Sequence, residues 1–500
     1  MTTFRAGRKV CYNSDIMELE PVIGLEVHAQ LLTHSKMFCG CSADYAGAPP
    51  NTHVCPVCLG MPGSLPVINK TAVEYTILTA LAFHCEIPEF AKFDRKNYHY
   101  PDLMKGYQIS QYDLPLSLNG YVLIDDAETI KRIRVRRVHL EEDTAKLAHV
   151  DGTSLIDVNR SGTPLMEIVS EPDMHSVEEA RLYSLKLQQI LRYLGVCSGD
   201  MEKGAMRFEA NISLRPKGST QLSPTRVEIK NLNSLRAMVH ATEYEIARQT
   251  KIWNAGGTVD QETMGWDEAR NQTYTQRSKE EAHDYRYFPE PDLPRLQVSR
   301  AWVDEIRSRL PELPDEIRER LTSVYGLSAY DASVITAEKA VAEYYNTAVA
   351  VGAGRQVDAK SIANWVTGEL FRLMKDTQTE IGAVKIVPAQ IPDLIALINA
   401  GTISNTIGKQ VFELMWQTGN DPRQIVQAKG LAQISDKGAL DVLADKVLAE
   451  NPKQVADYLA GKETISKFLV GQLMKATKGQ ANPAIANEIV LAKLQALKAK

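Results

Sequence analysis

Between Val22 and Leu32 the chain reads VIGLEVHAQLL, and the two side chains there that could do chemistry, Glu26 and His28, stand two residues apart. A carboxylate beside an imidazole can hold a divalent cation. Three later stretches carry similar residues at the same spacing. KRIRVRRVHL (131–140) sets Arg137 and His139 two apart and runs into Glu141, Glu142 and Asp143. MRFEANISL (206–214) carries Arg207, Glu209, Asn211 and Ser213, and RVEIK (226–230) carries Arg226, Glu228 and Lys230. Hard oxygen ligands among guanidinium and ammonium groups suit magnesium and phosphates, because Mg²⁺ leaves part of its shell to waters and phosphate oxygens while Arg and Lys hold the remaining charge. A wet surface laced with cross-strand ion pairs is the alternative.

A second group is made of thiols. Four of the seven cysteines form two close pairs, Cys39-x-Cys41 and Cys55-Pro-Val-Cys58, with thirteen residues between them. Paired thiols at this spacing match a tetrahedral zinc site with no open position, hence a structural one. Reduced, unliganded thiols are the alternative, with His53 as a possible substitute ligand. Cys11, Cys85 and Cys197 have no partner by spacing.

The elements that must position these groups follow from the pattern. In VIGLEVHAQLL the apolar Ile23, Leu25, Val27, Ala29 and Leu31 alternate with Gly24, Glu26, His28 and Gln30, which is the period of a strand with one packed face. The other three stretches alternate likewise, so the expectation is an antiparallel sheet with one wet face. Helical spacing runs over Asn69–Cys85, over Ser176–Leu194 with Ser176 and Glu179 as a capping box, and over Asn231–Trp253. Asn119-Gly120 signals a hairpin turn. The segment Asn97–Leu116 is dense in Tyr98, Tyr100, Tyr107 and Tyr112, which suits either a shaped pocket that stacks bases or a loop packed onto the sheet. In DVNRSGTPLMEI (157–168), Arg160 stands in a sharp turn and either binds phosphate or carboxylate or pins the loop to a carbonyl. Arg277–Leu293 reads as the closing wall of the first domain.

Beyond Pro294 helices replace strands, with Ser299 and Ser328 as caps and three Asx-Pro starts at Asp421-Pro422, Asn451-Pro452 and Asn482-Pro483. From Asn451 to Lys500 eight lysines face three acidic residues, which suits a phosphate backbone or a solvated helical face. Five hundred residues imply two to four domains, and the net charge of −5 means that any nucleic acid is met by local basic patches. No apolar run approaches membrane-spanning length, and the N-terminus lacks the apolar core of a secretory signal, so the cytoplasm is the expected compartment.

Together the motifs GLEVHAQL (24–31), the CxC and CxxC pairs, YPDLMKGYQISQYD (100–113), VHLEED (138–143), DVNRSGTPLMEIVSEPD (157–173), VEIKNLNS (227–234) and DYRYFPEPDL (284–293) resemble the B subunit of the aspartyl/glutamyl-tRNA amidotransferase, the GatB family. The resemblance covers nearly the whole chain. It departs at Val158 and at Arg207–Glu209, where the carboxylate survives as Glu209.

The resemblance implies an α+β fold: an N-terminal antiparallel-sheet domain similar to glutamine synthetase, then all-α helical and tail domains. The implied boundaries are an extension over 1–17, a catalytic cradle over 18–294, a helical domain over 295–424 and a tRNA-binding tail over 425–500, with a YqeY-like region over about 356–497. It implies that ATP phosphorylates the side-chain carboxylate of a misacylated Glu-tRNA(Gln) or Asp-tRNA(Asn). Ammonia released by the amidase (A) subunit then displaces the phosphate, within a heterotrimer that includes the small (C) subunit. Carried onto this chain, Glu26, His28 and Glu141 are the leading magnesium ligands, with Glu142, Glu209 and Glu228 as alternates. Arg160, Arg207, Lys230 and Arg286 are candidates for phosphate or carboxylate contacts, and Cys39, Cys41, Cys55 and Cys58 match the zinc positions. Two rivals remain: an RNA-binding scaffold with no chemistry, and a metal-dependent hydrolase using Glu26 and His28 around an activated water.

Overall fold

The structure, a computed structural model, describes residues 18–126, 129–278, 284–432, 437–477 and 480–498. The expected extension with Cys11, part of the 277–293 wall, and Lys478 and Lys500 of the tail lie outside them. The chain divides into two compact units, Met1–Leu313 and Pro314–Lys500.

The first unit is framed by an eight-stranded sheet. In chain order its strands are β1 (Leu19–Gln30), β2 (Ser117–Asp126), β3 (Thr129–Glu142), β4 (Pro164–Ser170), β5 (Met206–Pro216), β6 (Val227–Leu232), β7 (Glu262–Asp267) and β8 (Gln272–Ser278). They lie side by side as β8-β7-β6-β5-β1-β4-β3-β2, so β1 runs through the interior between β5 and β4. The expected antiparallel pairing is corrected at one place, for β6 and β7 are parallel. Parallel neighbours need a crossover, and helix α3 (Leu235–Asn254) supplies it.

The alternation read in β1 holds. Ile23, Leu25, Val27 and Ala29 are buried in one cluster with Ala72, Val73 and Ile77 of α1 (Lys70–Ala82), Tyr183 and Leu187 of α2 (Val177–Leu194) and Met238 of α3. Each helix starts where a side chain satisfies a free amide: Asn69 accepts from Ala72, Ser176 from Glu179 and Ser234 from Ala237. Such a cap is worth about 1 kcal/mol. The helix expected from Asn231 begins only at Leu235 because β6 continues through Leu232 and Ser234 caps.

Asn119-Gly120 is not a hairpin turn. Both residues lie inside β2, opposite β3, with Asn119 at φ +55°. A Cβ on Gly120 would come within 2.2 Å of Cys85 Sγ and 2.6 Å of the Phe83 carbonyl, so the glycine serves close approach of the chain leaving α1. The left-handed preference that makes hairpin turns also makes mid-strand irregularities, and the dipeptide does not tell them apart. A small three-stranded sheet (Phe288–Pro289, Asp94–Asn97, Tyr107–Ser110) brings its last strand to the end of β3, where the Ile109 amide donates to Glu142 at 3.0 Å.

The second unit is helical throughout its described residues, from Pro314–Ser323 to Pro483–Lys498. Of the three Asx-Pro starts, Asp421 and Asn482 cap as expected. Asn451 instead donates back to the Val447 carbonyl at 2.8 Å and makes no cap. Residues between Leu440 and Leu494 form a core cluster of their own. Among the described residues no helix is long and apolar enough to cross a membrane.

Candidate functional site

Strand register builds the polar face. On β1, Glu26 pairs across to Glu209 of β5 and His28 to Arg207; on the other side His28 pairs to Glu167 of β4, which pairs in turn to His139 of β3. Groups far apart in sequence thereby fall into rows. Two bulges flank them, one at Arg136 of β3 and one where β6 takes an extra residue opposite Glu209, with Asn231 at φ +59°. Bulges re-aim side chains at such places.

The rows resolve into two cation-sized clusters. In the first, ligand atoms of His28, Glu141 and Glu167 all lie within 4.8 Å of one another. His28 Nε2 is 3.5 Å from Glu141 and 3.4 Å from Glu167, and His139 Nε2 is 3.5 Å from Glu167. In the second, Glu26, Glu209 and Glu228 meet the same distance limit. There Lys230 Nζ is 2.7 Å from Glu209 and 3.7 Å from Glu228, and Asn211 Nδ2 donates to Glu26 at 3.0 Å. The trio expected from sequence, Glu26 with His28 and Glu141, is therefore divided between neighbouring clusters.

The charges in the first cluster are poised. Burial, then the charge of Glu167, pushes Glu141 up to about 7. For His28, burial opposes the charged ring, but the hydrogen bond and charge of Glu167, with Glu209 and Glu141, carry it up to about 9. Burial holds His139 down to about 3, so its ring is neutral at pH 7. In the second cluster burial and three neighbouring carboxylates raise Glu26, while Lys230 and His28 overcome burial to hold Glu209 down to about 2. Two carboxylates 4–5 Å apart repel by roughly 3–4 kcal/mol at the effective dielectric of a protein. One lysine cannot neutralise three such groups, so both clusters fit a hard divalent cation.

The other expected residues go elsewhere. Glu142, next to Glu141 on the strand, faces the opposite way, onto Lys105 at 2.6 Å and a cavity of about 210 Å³ beside the thiols. Arg160 donates to the Thr144 and Ala145 carbonyls at 2.9 and 2.8 Å, which makes it a loop pin. Arg207 grips Asp143 at 3.2 Å through both carboxylate oxygens. Arg286 is exposed with left-handed backbone, φ +44°. Sequence reasoning passed over Glu167, although a lone carboxylate in the buried strand PLMEIVS was a signal for it. It also left Asp143 without a role. Of the tyrosine-rich segment, Tyr98 and Tyr285 flank the Lys96 ammonium at 5.9 and 5.0 Å, and Tyr112 stacks on Tyr287 at 4.3 Å. Beside Glu26 a cavity of about 170 Å³ is lined by Gly24, Ser170, Asn211, Arg136 and Arg226.

The four thiols converge as their spacing suggests. One sulfur from each of Cys39, Cys41, Cys55 and Cys58 lies within 4.8 Å of all the others. The Cys55 amide donates to Cys58 Sγ at 3.1 Å, and the buried Lys36 stands near, its ammonium donating to the His53 carbonyl at 2.8 Å. The hydrogen bond from Cys39, against burial and with help from that amide and Lys36, holds Cys58 down to about 4. A set of four sulfurs with one already a thiolate fits zinc. Cys85 and Cys197 are buried and unpaired with another cysteine.

Comparison with known proteins agrees with this arrangement. A family model described as the GatB/GatE catalytic domain matches residues 21–304, and a GatB domain model matches residues 343–494. The chain is similar to proteins named as the B subunit of aspartyl/glutamyl-tRNA(Asn/Gln) amidotransferase. That of Carboxydothermus hydrogenoformans is 53% identical over 485 residues, covering 96% of this chain and 100% of the relative. That of Moorella thermoacetica is 53% identical over 482 residues with the same coverage, and that of Thermomicrobium roseum 54% over 485, covering 96% and 99%.

Proposed function

The chain belongs to the GatB/GatE family, and from that premise we propose that it amidates the side-chain carboxylate of glutamate or aspartate misacylated onto tRNA(Gln) or tRNA(Asn). It is thus part of a carbon–nitrogen ligase with glutamine as nitrogen donor. A free carboxylate is a poor acyl donor. ATP supplies the leaving group: a carboxylate oxygen bonds to the γ-phosphorus, the bond to the β-phosphate bridge breaks, and ADP departs with the electron pair. Ammonia then adds to the acyl carbon, the carbon–oxygen bond breaks toward phosphate, and the phosphate takes the proton lost by nitrogen. The amidase (A) subunit, held with the small (C) subunit in a heterotrimer, is the ammonia source.

The observation that carries this reading is the pair of carboxylate clusters sharing β1. His28, Glu141 and Glu167 would hold one magnesium ion, and Glu26, Glu209 and Glu228 a second. Magnesium held there would supply charge to neutralise the phosphates during transfer. The chain's own residues set the geometry: Asn211 aims Glu26, Lys230 balances Glu209 and Glu228, and the charged, hydrogen-bonded His28 ring holds Glu167 ionised. The cavity beside Glu26 is too small for a whole nucleotide but suits its phosphate end, with Arg136 and Arg226 at the wall. The sheet is read as similar to that of glutamine synthetase, which solves the same problem of carboxylate activation. Zinc at the four thiols is structural, since every position is filled by protein. In the tail, the exposed Lys453, Lys467 and Lys475 suit the tRNA backbone. The domain limits near 294 and 424 and a cytoplasmic location complete the reading.

The test is a single turnover with γ-labelled ATP, glutamyl-tRNA and the assembled heterotrimer, without an ammonia source. Phosphate transfer that needs both Mg²⁺ and charged tRNA, and that is lost in Glu26→Gln, supports the reading. Intact ATP with tRNA still bound would replace it with an RNA-binding scaffold.

A further inference from the structure

Phosphoryl transfer needs a cation on the transferred group, and most basic side chains of the polar face are already engaged. Arg207 is held by Asp143, Lys230 by Glu209, Arg160 by two carbonyls, Arg134 by Asp173 and Arg136 by Glu171. Arg137 differs. Its nearest charged contact among the described residues is Glu167 at 4.0 Å, beyond hydrogen-bond reach, and its Nε is buried with no partner. A guanidinium carries five donors in a fixed fork, and leaving a buried one unmet is unfavourable. The β3 bulge puts the extra residue at Arg136, so Arg137 stays in phase with His139 and Glu141 and shares their face. An unengaged fork thus stands next to a carboxylate of the first cation cluster.

We propose that Arg137 is a catalytic residue of the carboxylate kinase: its Nε and Nη hydrogens fork onto non-bridging oxygens of the phosphoryl group in transfer. The assignment rests on the phosphorylation reading above. During the step the substrate carboxylate oxygen forms its bond to phosphorus while the bond to the ADP oxygen breaks, and ADP keeps the electron pair. Charge spreads over the equatorial oxygens, and a planar fork matches two of them where a point charge does not. Lys96, also without a carboxylate within 4.0 Å among the described residues, has its ammonium flanked by Tyr98 and Tyr285 and offers no fork.

The experiment is rapid-quench single turnover on the assembled enzyme with saturating Mg-ATP and glutamyl-tRNA, comparing wild type, Arg137→Ala and Arg137→Lys. Arg137→Ala is expected to slow transfer by about 10²–10³-fold with tRNA affinity unchanged, and added guanidinium is expected to restore about tenfold. Arg137→Lys, which keeps charge and bulk, is expected to lose at least about tenfold and serves alone if the alanine variant does not fold. Lysine at wild-type rate, or alanine within about threefold of it, overturns the proposal, as does a loss that guanidinium does not rescue while Mg²⁺ affinity falls. If the wild type itself cleaves no ATP, the phosphorylation reading fails and this assignment falls with it. Transfer by wild type with undiminished transfer by the variants sinks Arg137 alone.

Discussion

The thiol cluster and the carboxylate face are both shaped for a cation, yet they are assembled by opposite routes. Cys39 to Cys58 come from one twenty-residue stretch, which Lys36 and Asn159 also brace through the His53 and Pro49 backbone. His28, Glu141 and Glu167 come from three strands, and a core that none of them enters holds those strands in register. A site made by its own loop should cost fold when lost; a site carried on a finished sheet should cost chemistry. The carboxylate face is even opposed by its own charges, since Glu26 faces Glu209 across the strand pair.

The sharpest way to break this contrast is Glu26→Gln. Phosphate transfer is expected to fall by about 10³-fold or more, while melting of the metal-free protein stays level or rises, because a repelling charge is gone. A clear drop in Tm would mean that the face is structural after all. Next, Glu167→Gln is expected to weaken Mg²⁺ binding by about 10–100-fold, measured by titration calorimetry, with Tm again little changed. Cys58→Ser should behave the other way: zinc content by elemental analysis falls, Tm drops by roughly 10 °C, and transfer per folded molecule stays within about twofold. A stable Cys58→Ser protein with lost activity would reverse the comparison.

The smallest effect is a pH slope. The His28 ring is raised from 6.5 to about 9 on folding, so its contribution is full below 6.5 and is lost as pH climbs through 9. Metal-free protein is therefore expected to lose a few degrees of Tm between pH 7 and 9, whereas Mg²⁺ affinity rises over the same window because the ligand must be the free ring. His28→Asn should flatten both curves.

How much of this was legible beforehand depends on range. The thiols were readable because four ligands within one loop leave their spacing in the sequence. The polar alternation of β1, β3, β5 and β6 was readable because a strand has period two and one face is packed. Glu167 was not singled out, for a lone carboxylate in an apolar strand signals a role but not its partners, and those appear only when His28 and His139 stand on either side of it. Asn119-Gly120 misled because the φ it supplies serves a turn and a mid-strand irregularity alike.

By itself the sequence determined which residues share the polar face of β1, β3, β5 and β6, a face that the fold then largely buries, where α1, α2 and Ser299's helix begin, that four thiols meet, and, through its motifs, the family. Strand order and register decided the rest: which carboxylates stand together, and that Arg160, Arg207 and Lys230 are already held. The physical reason is that face is set by local backbone geometry, whereas partnership across strands is set by the packing of a core whose contacts are far apart in the chain.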